Sequence, residues 1–227
     1  MQPGEAHVWL VELSSGKLDH DACWSVLTDH ERKRSERFKH DGAREEFVVS
    51  RAMLRTLLAR YVDVDSNEIT YRNAPGGKPF LVEIPGKPAP WFNMTHSHGV
   101  ALYAISLDQE VGVDVEMLGR RTDAERVAKR FFTERESERI MAREPDLRKD
   151  AFIRTWTCKE ACLKWTGAGL KGGLKTHEIL FDDAWGNPEA AGEVEQPLLT
   201  LLEPAPGWVG ALAVRGEVGV SCRVWEG

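Results

Sequence analysis

The chain has 227 residues, 42% of them hydrophobic and 29% charged, with a formal net charge of −6. That length suits one domain or two small ones with a real core, and the acidic balance argues against nonspecific nucleic-acid binding, which needs a basic surface. No apolar run approaches the roughly 20 residues of a membrane span, and Met1–His7 lacks the basic-then-apolar pattern of a secretory signal, so the expected location is the cytoplasm.

A strand is expected over 7–13. Thr28-Asp29 then opens a helix of alternating charges over 31–38, and a second helix runs over 43–61. In it Phe47, Val48, Met53, Leu54, Leu57 and Leu58 follow helical spacing, accompanied by Arg44, Arg51 and Arg55. Short strands follow at 69–72, 79–83, 91–95 and 100–107, and Gly76-Gly77-Lys78-Pro79 is a turn that leaves a lysine at its edge. Leu107–Glu110 is a tight link into a strand over 111–116. Helices are expected at 124–132, 134–142 and 147–165, the last ended by Gly167-Ala168-Gly169. The final third reads as strands at 178–181, 198–203, 207–215 and 219–225. Helices then strands in each half predict an α+β protein of two lobes, 1–108 and 109–227, packed closely because no disordered linker separates them. No sequence repeat ties the halves together.

The acids of Val111-Gly112-Val113-Asp114-Val115-Glu116 sit in an otherwise apolar strand. Alternate strand residues share a face, so Asp114 and Glu116 point the same way about 7 Å apart. Such a pair repels unless a cation lies between, and oxygen-only ligands favour Mg²⁺, Mn²⁺ or Ca²⁺ over zinc; the alternative is a solvated strand end. Glu160 and Lys164 are four apart, on one helix face about 6 Å along the axis. A surface salt bridge is the usual meaning of that spacing. Here Phe152, Ile153, Trp156, Ala161, Cys162, Leu163 and Trp165 make the helix apolar around most of its circumference, so its charges are expected to line an interior cleft. The stretch from Phe92 to Gly99 adds two hydroxyls and two imidazoles suited to phosphate, although His96 and His98 could equally begin a metal site. Cys158 and Cys162 lack the further soft ligands zinc needs and read as buried thiols.

Four segments in this order, Gly77-Lys78-Pro79-Phe80-Leu81, Phe92–Ser97, Gly112–Glu116 and Trp156–Ala161 with Lys164, give the chain a resemblance to the 4′-phosphopantetheinyl transferases of the larger, surfactin-type (Sfp-like) group. Phe131–Glu136 also fits that family, and the match covers roughly residues 28–182. The resemblance implies a monomer of two similar lobes in a pseudo-twofold arrangement, with coenzyme A between them. It implies transfer of the phosphopantetheine arm to a serine of an apo acyl or peptidyl carrier protein, of a nonribosomal peptide, polyketide or fatty-acid synthase, with release of 3′,5′-ADP. Carried over by motif, Asp114, Glu116 and Glu160 would hold Mg²⁺, Glu160 would also deprotonate the serine, and Lys164 would neutralise the phosphate bridge. Thr95, His96, Lys78 and Lys159 become phosphate ligands, and Arg44 and Arg51 grip the adenosine 3′-phosphate. Against the family pattern, Thr95 stands for a serine, Cys158 for an often basic residue, and His98 has no counterpart. The competing readings are a magnesium-dependent hydrolase of a nucleotide or coenzyme pyrophosphate, and a non-catalytic binding module. The module would have lost at least one of the three carboxylates, and all are present. A carrier protein is itself usually acidic, so its contact with this chain is expected to be apolar with a local basic rim.

Overall fold

A computed structural model of the chain describes residues 1–14, 18–169, 173–182 and 184–226. The first half runs β1 (Glu5–Glu12), α1 (His20–Ser25), α2 (Asp29–Ser35), α3 (Asp41–Val62), β2 (Tyr71–Asn73), β3 (Pro79–Leu81), β4 (Trp91–Ser97) and β5 (Val100–Ser106). The second runs β6 (Val111–Met117), α4 (Ala124–Phe131), α5 (Glu134–Met141), α6 (Arg148–Thr166), β7 (Glu178–Phe181), β8 (Pro188–Ala191), β9 (Leu198–Leu202) and β10 (Trp208–Val214), and β11 (Gly219–Val224) closes the chain. Each half is therefore a strand, three helices, a two-stranded ribbon and a hairpin. The strand orders match as well: β1-β5-β4 in one sheet and β6-β10-β9 in the other. The expected α+β pair of lobes is present, and the repeat that the residues hide is explicit in the topology.

One strand crosses the expected boundary at 108/109. β11 runs parallel to β1, from Glu5↔Gly219 to Leu10↔Val224, so the first lobe's sheet is completed by the last residues of the chain. The reason is the edge that β1 would otherwise expose, since its other side is taken by β5. Two short elements also escaped the sequence pattern. α1 is a single capped turn and a half behind Asp19, too short to show a period, and Pro-Glu-Ala-Ala of β8 has little intrinsic strand preference.

Period-two alternation builds the layers. In β5, Ala101, Tyr103 and Ile105 face α3, where Val48, Leu54, Leu57 and Leu58 bury against them. The alternate residues Val100, Leu102 and Ala104 meet Val111, Val113 and Val115 of β6 and Leu212 and Val214 of β10. Val209, Ala211 and Ala213 of β10 then face α6. The layers run helix, sheet, sheet, helix. It follows that Gly112, Asp114 and Glu116, out of phase with the three valines, look toward α6. No helix among the described residues is long and apolar enough to cross a membrane.

Each lobe also buries one capping box. Thr28 caps α2 with Glu31 answering three residues on, and Thr133 caps α5 with Glu136. Both glutamates reach past the cap to a cation on the long helix of their own lobe: Glu31 to Arg55 at 2.9 Å, Glu136 to Lys159.

Candidate active site

The seam between the lobes is where β4 runs beside β6, stitched by side chains. Val113 N–H donates to Asn93 Oδ1 at 3.0 Å, Thr95 Oγ1 to Asp114 Oδ1 at 2.9 Å, and Ser97 Oγ to Glu116 Oε2 at 3.1 Å. α6 descends on this seam because Gly112 has no side chain: a Cβ there would stand 2.2 Å from the Ala161 carbonyl oxygen and 2.3 Å from Trp165 N. That close approach delivers Lys164, whose ammonium donates to Asp114 Oδ1 at 2.6 Å and to Thr95 Oγ1 at 2.9 Å. Asp114 is buried, and its second oxygen, Oδ2, has no partner among the described residues.

Around Asp114 the charges crowd. Burial pushes the Glu160 carboxyl above its ordinary value, and the negative charges of Asp114 and Glu116 add to the rise while Lys164 opposes it. Glu116 is raised as well, by burial and then by Asp114, although Arg120 lies 3.4 Å from it and Ser97 donates to it. Three acids thus meet with one ammonium between them. Among the described residues no three carboxylate, imidazole or thiol groups already stand at ligating separation. The chemistry of the donor set nevertheless fits a hard divalent cation, since it offers oxygen atoms only and one of them is buried and unsatisfied.

The other expected residues divide. His96 lies on the cleft, where desolvation lowers its pKa; Glu46 opposes that, and Arg51 and Lys164 add to it. Arg51 is therefore within charge range of the site, and its guanidinium lies 5.4 Å from the Phe47 ring. Thr95 is spent on Asp114 and Lys164 rather than open to a phosphate. Arg44 stands on the first turn of α3, held 2.9 Å from Asp41, with no contact to the acids. Lys78 lines the cavity beside Glu160 and Lys164, with its ammonium bound to Glu110 Oε1 at 3.0 Å and to the Trp165 carbonyl at 2.6 Å. It ties the Gly76-Gly77 turn to the end of α6, where a free carbonyl needs a donor. Lys159 corrects an expectation. It is 1% exposed, faces away from the cleft, and binds Glu136 and the His177 carbonyl. One glance at its place between Cys158 and Glu160 suggests a phosphate ligand, but its side chain leaves the helix on the inner side.

His98 and Gly99 both have positive φ, 46° and 79°, and form the two-residue hairpin loop between β4 and β5, a setting that tolerates histidine better than most side chains. Cys158 is fully buried in the second lobe's core, and burial raises its thiol well above the ordinary value.

A cavity of about 330 Å³ opens beside the acids, lined by Gly76, Gly77, Met94, Glu160, Leu163 and Lys164 among others. A second cleft, on α2, is lined by His30, Lys33, Arg34, Arg37 and Phe38. Arg34 lies 5.3 Å from the same Phe47 ring that Arg51 approaches, so the two guanidinium groups flank one aromatic ring. Arg34 gives no signal in the sequence, because four cations among alternating charges look like a solvated face.

The family model described as 4′-phosphopantetheinyl transferase superfamily matches residues 110–205, and that described as 4′-phosphopantetheinyl transferase, N-terminal, matches residues 15–109. The chain is 33% identical over 224 residues to the 4′-phosphopantetheinyl transferase HetI of Nostoc sp., a match spanning 98% of this chain and 92% of that one. It is 27% identical over 191 residues to the 4′-phosphopantetheinyl transferase Sfp of Bacillus subtilis, spanning 84% and 83%. Among solved structures, the holo-[acyl-carrier-protein] synthase of Thermotoga maritima shares 25% identity at a TM-score of 0.38, across 46% of this chain and 61% of that one.

Proposed function

We propose, for a chain that belongs to the 4′-phosphopantetheinyl transferase superfamily, that the acids and the lysine between β6 and α6 carry out the transfer of the phosphopantetheine arm from coenzyme A to a carrier-protein serine. The observation that carries this reading is Asp114. One oxygen is neutralised by Lys164, the other is buried without a partner, and two further carboxylates beside it are held toward their neutral form.

Breaking a pyrophosphate link builds charge on bridging and terminal oxygens, so electrostatic stabilisation dominates such a site. A magnesium ion held by Asp114, Glu116 and Glu160 would neutralise the coenzyme pyrophosphate. Glu160 takes the proton of the serine hydroxyl, which is a poor nucleophile near neutrality. The serine Oγ forms its bond to the phosphorus on the pantetheine side as the bond from that phosphorus to the leaving oxygen breaks. The product 3′,5′-ADP departs with its new charge beside Lys164, which exchanges Asp114 for the coenzyme oxygens. His96 and Arg51 accept the remaining phosphates, and Arg34, across Phe47 from Arg51, extends that grip toward the adenosine 3′-phosphate with Arg44 at its edge. Lys78 serves as the brace of the Gly76-Gly77 turn and Lys159 is withdrawn from the phosphate set.

The same reading places the chain in the surfactin-type group, as a cytoplasmic monomer serving peptidyl or acyl carriers of nonribosomal peptide, polyketide or fatty-acid synthases. The test is intact-mass analysis of apo carrier proteins incubated with the chain, coenzyme A and Mg²⁺. Gain of one phosphopantetheine, abolished by EDTA, is the expected result. Coenzyme A consumed with no carrier modified would replace this reading with a hydrolase, and an intact coenzyme with no gain on any carrier would leave only binding.

A further inference from the structure

A helix that is apolar on every side has no stripe to choose which face it buries. α6 is such a helix: Phe152, Ile153, Cys158, Ala161, Cys162 and Trp165 are all buried, and together they cover its circumference. Hydrophobic burial alone would accept α6 in several rotations. Gly112 sets how near the helix comes to β6, but a glycine has no side chain with which to resist turning. Yet Glu160 and Lys164 work only from one rotation.

We propose that the Lys159–Glu136 pair sets that rotation, so that Lys159 is a positioning residue for the adjacent Glu160 and for Lys164. This rests on the assignment of Glu160 as base given above. The geometry is directional at both ends. Lys159 donates to the Glu136 carboxylate and to the His177 carbonyl, the latter at 2.6 Å. Glu136 is itself pinned, accepting from Ile179 N–H at the start of β7 and from Thr133 N–H at the cap of α5, both at 2.7 Å. α6 is thereby tied to two neighbouring elements through a buried point contact.

Successive residues diverge by about 100° around a helix. Holding Lys159 against α5 and β7 therefore turns Glu160 toward the lobe seam. With side chains reaching about 5–6 Å from the axis, a rotation of ~10° moves the Glu160 carboxylate by about 1 Å. A misplacement of that size can cost on the order of 10²-fold in rate. An apolar pair of similar volume would be no worse for stability and is often better, so a buried Lys–Glu pair at this point is explained by the direction it imposes. The first lobe carries the same strut, Glu31 with Arg55, on a helix where Thr56 stands at the position matching Glu160.

The experiment compares neutral, near-isosteric pairs in the holoenzyme: Glu136→Gln with Lys159→Met in one variant, Glu31→Gln with Arg55→Met in the other. Both remove a buried pair without leaving one charge stranded. The second-lobe variant is expected to remain folded, with KM for coenzyme A within about threefold and kcat lowered roughly 10- to 100-fold. The first-lobe variant is expected to turn over with unchanged kcat. A folded second-lobe variant with wild-type kcat overturns the proposal, and so does an equal fall in kcat in both. Should the second-lobe pair fail to fold, Lys159→Arg keeps the charge and lengthens the strut: lowered kcat at constant KM supports the proposal, and unchanged kcat overturns it. Glu160→Gln run in parallel separates the two levels. If it turns over normally the base assignment itself falls, whereas a crippled Glu160→Gln beside a fully active strut variant removes only the positioning role.

Discussion

The two lobes are built to one plan, and position by position the first shows what the second gives up to become a site. Trp9 pairs with Tyr103 at the centre of β5, and Asp114 with Ala211 at the centre of β10. Both Trp9 and Asp114 look toward the long helix of their lobe. Trp9 donates to Tyr61 Oη on α3 at 2.8 Å, an aromatic closure; Asp114 meets Lys164 on α6. Two residues earlier, His7 fills the space between β1 and α3 and bonds Tyr61 at 2.7 Å, whereas Gly112 leaves no space and α6 comes in to backbone contact. Counting from the buried struts, Thr56 follows Arg55 where Glu160 follows Lys159, and Arg60 lies 4.0 Å over Trp225 where Lys164 lies on an acid. The same layout carries a closed aromatic seam in one lobe and an acidic cleft in the other, and the two differ at a few positions on one strand and one helix.

The sharpest way to break the comparison is to give the second lobe the first lobe's neutrality. Glu160→Gln is expected to lower kcat by roughly 10²–10⁴ with coenzyme binding little changed, read from steady-state turnover on an apo carrier. Normal turnover would mean that the two lobes differ for some reason other than proton transfer. Next in size, Asp114→Ala removes the shared partner of Lys164 and Thr95. Its activity is expected to lose its dependence on added Mg²⁺ and to fall toward background; a wild-type magnesium titration would take Asp114 out of the metal site.

Gly112→Ala tests the close approach directly. Backbone atoms, not a flexible side-chain tip, stand 2.2–2.7 Å from the new Cβ, so α6 must retreat. Overpacking of this kind costs about 1–3 kcal/mol, and at about 2–4 °C per kcal/mol for a chain this long the melting temperature should drop by several degrees. Turnover should fall with it as Glu160 and Lys164 recede from β6. A variant that melts and turns over like the parent would show that the helix has slack at the seam.

Much of this was legible in the residues and some was not, for physical reasons. The long helices, the strands of the seam and the acids in them announced themselves through period and through charge in apolar surroundings, and β6 pointed its acids to one face as alternation requires. Lys159 was misread because adjacency in sequence hides a divergence of about 100° on a helix, which sends it inward beside an outward-looking Glu160. The tie from Lys78 to the Trp165 carbonyl was not legible, because a lysine at a turn edge gives no hint of a carbonyl waiting across the fold. The return of β11 to β1 is a long-range pairing with no local signature. The repeated topology was invisible because Trp9 and Asp114, or His7 and Gly112, share a position and nothing else.

The smallest expected effect is on stability, and its sign distinguishes a strained site from a relaxed one. Glu160 titrates from an unfolded reference near 4.5 to a higher value in the fold, because burial and the Asp114 charge disfavour its ionised form. The native state then holds the proton more tightly than the unfolded chain, and stability falls as pH rises from about 4.5 through the folded value. Below that window the group costs nothing; above it the cost is complete. Glu116 is raised in the same direction. In EDTA, Glu160→Gln should therefore melt above the parent at neutral pH, by a margin that shrinks and vanishes near pH 4.5. Added Mg²⁺ should reverse the order, since a ligand that binds only the native state stabilises the parent by mass action and finds fewer ligands in the variant. The first lobe has no crowded acids at the matching position, so Thr56→Val should show neither the pH-dependent margin nor the magnesium reversal. If Glu160→Gln gains nothing at neutral pH in EDTA, the three acids of the cleft are already relaxed, and a cation would bring the fold no relief.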